Sequence, residues 1–155
     1  GSLGQGLSVA LGMSLAGSVD KKDYRVYCLL ADGETQEGNI WEAAMAASHF
    51  TCDNLCANLD YNGCQIDGKC EDVMGLEPLA AKWQAFGWNT IEIDGHNMQE
   101  ILSAYDLAKT VKGKPTIIIA HTIKGKGVSF MEGVIGFHGR APTKEEAEKA
   151  LKELT

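Results

Sequence analysis

Apolar residues along this chain come in short blocks of two kinds, separated by polar or glycine-containing turns. Leu3 to Gly17 is dense in Ala, Leu, Met and Gly with apolar residues on nearly every side, the pattern of a buried helix whose glycines permit close packing. After a polar turn at Asp20 to Asp23, Arg25 to Ala31 forms a continuous apolar run suited to a parallel strand covered on both faces. Gly38 to Phe50 reads as a second helix, with Trp41, Ala44, Met45 and Ser48 on one stripe, and Leu55 to Tyr61 as a second buried strand. Asn62 to Val73 reads as a loop long enough to cover a ligand. Leu79 to Phe86 is a short helix with Gly87 as its stop, and Thr90 to Ile93 a strand ending in Asp94-Gly95. Asn97 caps a helix running to about Val111, and Thr116 to Thr122 is the clearest strand, with four β-branched residues before His121. Lys124 to Arg140 is glycine-rich and irregular, and Thr143 with Glu146 forms a capping box for a final amphipathic helix.

Helix and strand therefore alternate along the whole chain. The pattern predicts one α/β domain over residues 1–155, a doubly wound, mostly parallel sheet flanked by helices. Ligands in such sheets gather at the carboxyl ends of the strands, where Asp32, Asn62, Asp94 and His121 all fall.

Composition narrows the class. The 155 residues suffice for a real core, and 45% of them are apolar. No apolar run approaches a membrane span and no signal-peptide pattern is present, so no membrane partner is expected. A net charge of −7 argues against nonspecific nucleic-acid binding. The five cysteines, Cys28, Cys52, Cys56, Cys64 and Cys70, are odd in number and form no Cys-x-x-Cys pair, which suits reduced thiols packed as small hydrophobes in the cytoplasm. Trp41, Trp83 and Trp88 read as core or interface anchors, and His49 and His96 as structural. The chain opens on Gly1 inside a motif, so either upstream sequence is missing or Gly1-Ser2 is a cloning remnant.

Candidate chemistry concentrates in Ala31-Asp32-Gly33-Glu34-Thr35-Gln36-Glu37-Gly38 and Asp60-Tyr61-Asn62. Each follows a strand, and a carboxylate and an amide oxygen placed in this way are hard ligands suited to Mg²⁺ or Ca²⁺ holding a phosphate. Taken singly, both are ordinary turn residues; their spacing and flanks favour the metal and diphosphate. A diphosphate in an acidic chain also needs a local cation. Gly4-Gln5-Gly6 is not a dinucleotide fingerprint, because Val9 takes the third glycine position.

The Asp-Gly … Asn arrangement resembles the thiamine-diphosphate motif. With Gly1-Ser2-Leu3-Gly4-Gln5-Gly6, Gln36-Glu37-Gly38, Ile66-Asp67-Gly68 and Phe137-His138-Gly139, the chain resembles transketolases over its whole length, in particular the N-terminal subunit of those split into two subunits. The resemblance implies thiamine diphosphate and Mg²⁺ (or Ca²⁺) as cofactors. Asp32, the Asn62 side chain and the Cys64 carbonyl would hold the metal, and the Gly33 N–H would lie against the diphosphate. Gly1, Ser2 and Leu3 would lie beside the cofactor. His138 would bind diphosphate and assist proton transfer, and Glu37 would join a carboxylate network at the subunit interface. His121 and Lys124 also match the split type, a solvated basic loop being equally open.

The implied chemistry is transfer of a two-carbon ketol unit between sugar phosphates. It needs a partner, a pyrimidine-binding C-terminal subunit, in a homo- or hetero-oligomer, so the chain alone is expected to be inactive. Trp41 and Met45 are the expected contributors to that interface. Ala31 departs from the family's usual glycine, and the resemblance implies that roughly the first third of the N-terminal subunit is missing; both favour the alternative of an inactive truncated scaffold. Another thiamine-diphosphate reaction is disfavoured by the Gly-Ser-Leu-Gly-Gln-Gly and Gln-Glu-Gly segments.

Overall fold

The computed structural model describes all of residues 1–155. In chain order the elements are α1 (Gly6–Val19), β1 (Val26–Ala31), α2 (Gly38–His49), β2 (Leu55–Tyr61), β3 (Cys64–Gln65), β4 (Gly68–Lys69), α3 (Cys70–Val73), α4 (Leu79–Ala85), β5 (Asn89–Asp94), α5 (Met98–Thr110), β6 (Thr116–His121) and α6 (Lys144–Glu153). Four strands form one parallel sheet in the order β1-β2-β6-β5. Helices lie on both of its faces, as the alternation predicted. The register pairs Ala31 with Asp60, Tyr61 with His121, and Asp94 with His121, so the carboxyl ends of all four strands share one edge.

The two faces differ. One packs Leu30, Leu59, Ile117 and Ile119 against Leu7 of α1, Ile40 and Ala44 of α2, and Leu79 and Trp83 of α4. The other buries Cys56 and Ile118 under Ala104 and Ala108 of α5. The helix caps follow the local sequence. Asn97 accepts from the N–H groups of Gln99 and Glu100, and Thr143 and Glu146 complete the capping box of α6. Gly87, with φ +85°, ends α4 in the left-handed region that a side chain would strain.

Four expectations are corrected. β1 is not covered on both faces: it alternates buried and exposed, leaving Leu29 75% accessible, because α5 buries Cys56 and Ile118 of the second face and meets β1 chiefly through Tyr105 on Tyr27, at a ring separation of 5.5 Å. α1 is not buried all round; Val9 and Met13 are exposed, since β1 and α2 meet only the Leu7-Ala10-Ser14-Gly17 side. The α2 stripe of Trp41, Ala44, Met45 and Ser48 does not stay on one side of the core: Ala44 is buried with Ile40, Ala43 and Ala47, while Met45 is exposed. The Asn62–Val73 segment is not an open loop but holds the β3-β4 hairpin and the single turn of α3.

Candidate functional site

The site is built where β1 and β2 end side by side. Asp32 is wholly buried, as the residue that turns β1 into a short 3₁₀ turn at Gly33–Gln36. Its Oδ1 accepts from the Gly33 N–H at 2.8 Å and its Oδ2 from the Gly63 N–H at 2.5 Å, so the residue after Asn62 is tied directly to Asp32. Gly63 takes φ +73°, which lets the chain turn back at the end of β2. Burial pushes the Asp32 carboxyl above the usual carboxylate range and the nearby Asp60 charge adds to this, while the amide hydrogen bonds pull the other way. Neither Asp32 nor Asp60 takes part in any ion pair of the molecule. Two carboxylates close together, one fully desolvated and neither paired with a base, make a place that favours a cation.

Asn62 presents its amide between two neighbours. Its Nδ2 donates to Asp60 Oδ2 at 3.2 Å, and its Oδ1 accepts from the Cys64 N–H at 3.1 Å. An amide oxygen has two lone pairs and a carboxylate about four acceptor positions, so both Asn62 and Asp32 retain capacity for a metal. No three His, Cys, Asp or Glu side chains converge to hold an ion by themselves. Any metal here would therefore draw part of its shell from a bound ligand, as the hard oxygens of a diphosphate allow.

Next to this pair lies a cavity of about 610 Å³ lined by Leu3, Gly33, Glu37, Cys64, Ile66 and His138 among others. Residues singled out from the sequence thus meet at one opening, from points as far apart as Leu3 and His138. Asn62 and Cys64 open on an adjoining cavity of about 530 Å³. Gly1 and Ser2 are exposed and line neither, although the Ser2 carbonyl accepts from the Gln5 N–H at 3.1 Å. The Gly33 N–H, expected to face a diphosphate, is committed to Asp32. What Gly33 provides is clearance: a Cβ there would stand 2.7 Å from Gln65 Cβ.

Ala31 is the last residue of β1, and Lys21 and Thr51 are the only non-glycine residues with positive φ. The methyl group in place of the usual glycine therefore carries no conformational strain. Its N–H donates to Glu34 Oε2 at 3.2 Å, while Glu34 Oε1 accepts from the Gly4 N–H at 2.8 Å. Glu34 thus fastens the Ser2–Gln5 turn to the end of β1. The sequence offered no signal for this role beyond a carboxylate one residue after Asp-Gly. Gly4 has φ +79°, and a side chain there would meet Asn39 Oδ1 at 2.6 Å.

Trp41, expected at an interface, packs against Trp83 and Phe86 at ring separations of 5.1 and 5.2 Å and donates to the Thr35 carbonyl at 2.8 Å. It belongs to the core margin; Met45 alone of that pair is prominent, at 60% exposure. Asp94 and His121 share the strand-end edge but not the cavity, and His121 instead contacts Glu92 at 3.0 Å. Lys124 lines a further cavity, of about 740 Å³, which reaches Asp60 and Asn62 from the α5 face.

Comparison with known proteins bears on this geometry. Residues 1–155 match the family described as transketolase, thiamine diphosphate binding domain. The chain is 46% identical to an apulose-4-phosphate transketolase subunit of Phocaeicola vulgatus, covering all of the chain and 55% of that subunit. It is 50% identical to the 6-deoxy-6-sulfo-D-fructose transketolase subunit SqwG of a Clostridium species, covering 99% of the chain and 56% of the subunit. The crystal structure of transketolase from Campylobacter jejuni superposes with a TM-score of 0.93 at 32% identity, over 99% of this chain and 25% of that one. The chain thus spans about half the length of the curated subunits it matches.

Proposed function

The chain belongs to the transketolase family of thiamine-diphosphate-binding domains, and from that premise we propose that it is the diphosphate- and metal-binding half of a two-part ketol transferase. The observation that carries the reading is the meeting of Leu3, Gly33, Glu37, Cys64 and His138 around one cavity beside the buried, unpaired Asp32. Asp32, the Asn62 amide oxygen and the Cys64 carbonyl would hold Mg²⁺ or Ca²⁺ together with a bound diphosphate. Thiamine diphosphate, when bound, supplies the electron sink for cleaving the carbon–carbon bond beside a ketose carbonyl.

The chain's own residues do the rest of the work on this side. Leu3 and the Gly33 clearance shape the wall, and His138, exposed at the rim, presents an imidazole that would help bind the diphosphate and contribute to proton transfer at the reacting carbon. Glu37 stands at the start of α2 on the same rim, where it meets the carboxylates of a partner. The partner is a pyrimidine-binding subunit, since the family's second half carries the groups that activate the aminopyrimidine. Donor and acceptor are sugar phosphates. The exposed face of β1 at Leu29 is further apolar surface for protein contact in the oligomer. The scaffold alternative loses its main local support, because Ala31 is unstrained.

Calorimetric titration with thiamine diphosphate and Mg²⁺, with and without a C-terminal transketolase subunit, tests the proposal. Weak metal-dependent binding alone, tighter binding and ketol transfer with the partner, is the expected result. Absence of binding in both settings, or robust turnover of xylulose 5-phosphate by the chain alone, overturns it.

A further inference from the structure

Resting on the metal-binding reading above, we propose that Asp60, braced by Thr122, is a positioning residue that decides which end of the Asn62 amide faces the metal. An asparagine amide carries a donor end and an acceptor end of almost the same shape, and only the oxygen ligates a hard cation. Here each end has a neighbour of a single polarity. The Asp60 carboxylate only accepts, so at 3.2 Å it takes the Nδ2 end. The Cys64 N–H only donates, so at 3.1 Å it takes Oδ1. Both contacts demand the same orientation, and a flipped amide would set donor against donor and acceptor against acceptor.

Asp60 is itself held. Its Oδ1 accepts from the Thr122 hydroxyl, and the Thr122 N–H donates to the Tyr61 carbonyl at 3.1 Å, which fixes the residue after β6 to the end of β2. A central strand of the sheet therefore aims the ligand presented by its neighbour. With one oxygen on Thr122 and the other on Asn62, the Asp60 carboxylate is occupied as an orienting group. Its charge, next to Asp32, also favours a cation in the shared site. Outer partners of this kind typically change metal affinity by about ten- to a hundred-fold when removed.

The test reads metal binding directly. Mn²⁺ is titrated into the chain with saturating thiamine diphosphate and the C-terminal subunit present, free Mn²⁺ being followed by electron paramagnetic resonance, and the metal-free melting temperature is recorded in parallel. Asp60→Asn should weaken Mn²⁺ binding about ten-fold or more without lowering the metal-free melting temperature, since it removes a like charge beside Asp32. Thr122→Val should produce a smaller loss in the same direction. The reciprocal pair Asp60→Asn/Asn62→Asp keeps the charge and reverses the donor, so most of the affinity should return. Undiminished Mn²⁺ binding in Asp60→Asn, or no recovery in the reciprocal pair, overturns the inference while leaving the cofactor reading in place. Failure of the unaltered chain to bind Mn²⁺ overturns both. Should Asp60→Asn not fold, Thr122→Val decides the matter, with unchanged affinity counting against.

Discussion

Leu29 and Leu30 are neighbours in β1 with the same side chain, yet one is 75% exposed and the other 1%. Leu30 points into the face sealed by α1, α2 and α4; Leu29 points to the other face, where α5 buries Cys56 and Ile118 but leaves Leu29 open. The two faces of one sheet thus serve different ends. The sealed face is packed entirely by residues of this chain and accounts for why it folds. The thin face leaves apolar strand surface in the open, next to the edge where Asp32, Asn62 and the 610 Å³ cavity lie. The same residue type is thus exposed strand surface at one position and core at the next.

The contrast can be broken most directly at Leu30. Leu30→Ala should cost about 2–5 kcal/mol of unfolding free energy, read from the shift in urea midpoint, because a cavity opens among close-packed neighbours. A cost near zero would show that the sealed face is loosely packed. On the thin face, Ala108→Leu should cost about 1–3 kcal/mol by overfilling the narrow space between α5 and the sheet; a stabilising effect would reveal slack there. Leu29→Ala should change stability by less than about 0.5 kcal/mol and lessen self-association seen in sedimentation. A large loss of stability would mean that this strip is covered in the free protein.

The smallest effect lies outside both faces, in the cap of α6. Arg140 contacts Glu146 at 2.7 and 2.9 Å and, with the Thr143 N–H, lowers its carboxyl to about 2. A carboxyl depressed in the folded state contributes stability above its ordinary range and loses it as pH falls towards about 2. Carboxyl NMR should show that low midpoint, and Arg140→Ala should raise it. An unmoved midpoint would leave the Thr143 backbone as the whole cause. The sealed face should be indifferent to this substitution.

Where the physics is local, the sequence was readable. The Asn97 cap, the Thr143–Glu146 box and the β-branched run of β6 are each settled within a few residues, and all appear as expected. Asp32 and Asn62 were readable because each closes a strand, and parallel neighbours bring strand ends together. The inward side of α2 was not legible because Ala43 and Ala47 are weakly hydrophobic beside Trp41 and Met45. The β3-β4 hairpin escaped notice because two-residue strands have no room to show alternation. Glu34 and Asp60 were invisible as organisers. Their partners, Gly4 and Thr122, lie 30 and 62 residues away, and only the folded chain makes them neighbours.

The strand order has a consequence for synthesis. β6 follows β5 in the chain, yet it sits between β2 and β5. Until Thr116–His121 has left the ribosome, β2 has one unpaired edge and β5 has no strand beside it. The nascent chain therefore carries open edges of apolar strands from the emergence of β2 until β6 is complete, a state prone to pairing with other chains. Slower elongation before β6 would lengthen that exposure, and chaperones that shield strand edges would act on this interval rather than on the finished domain.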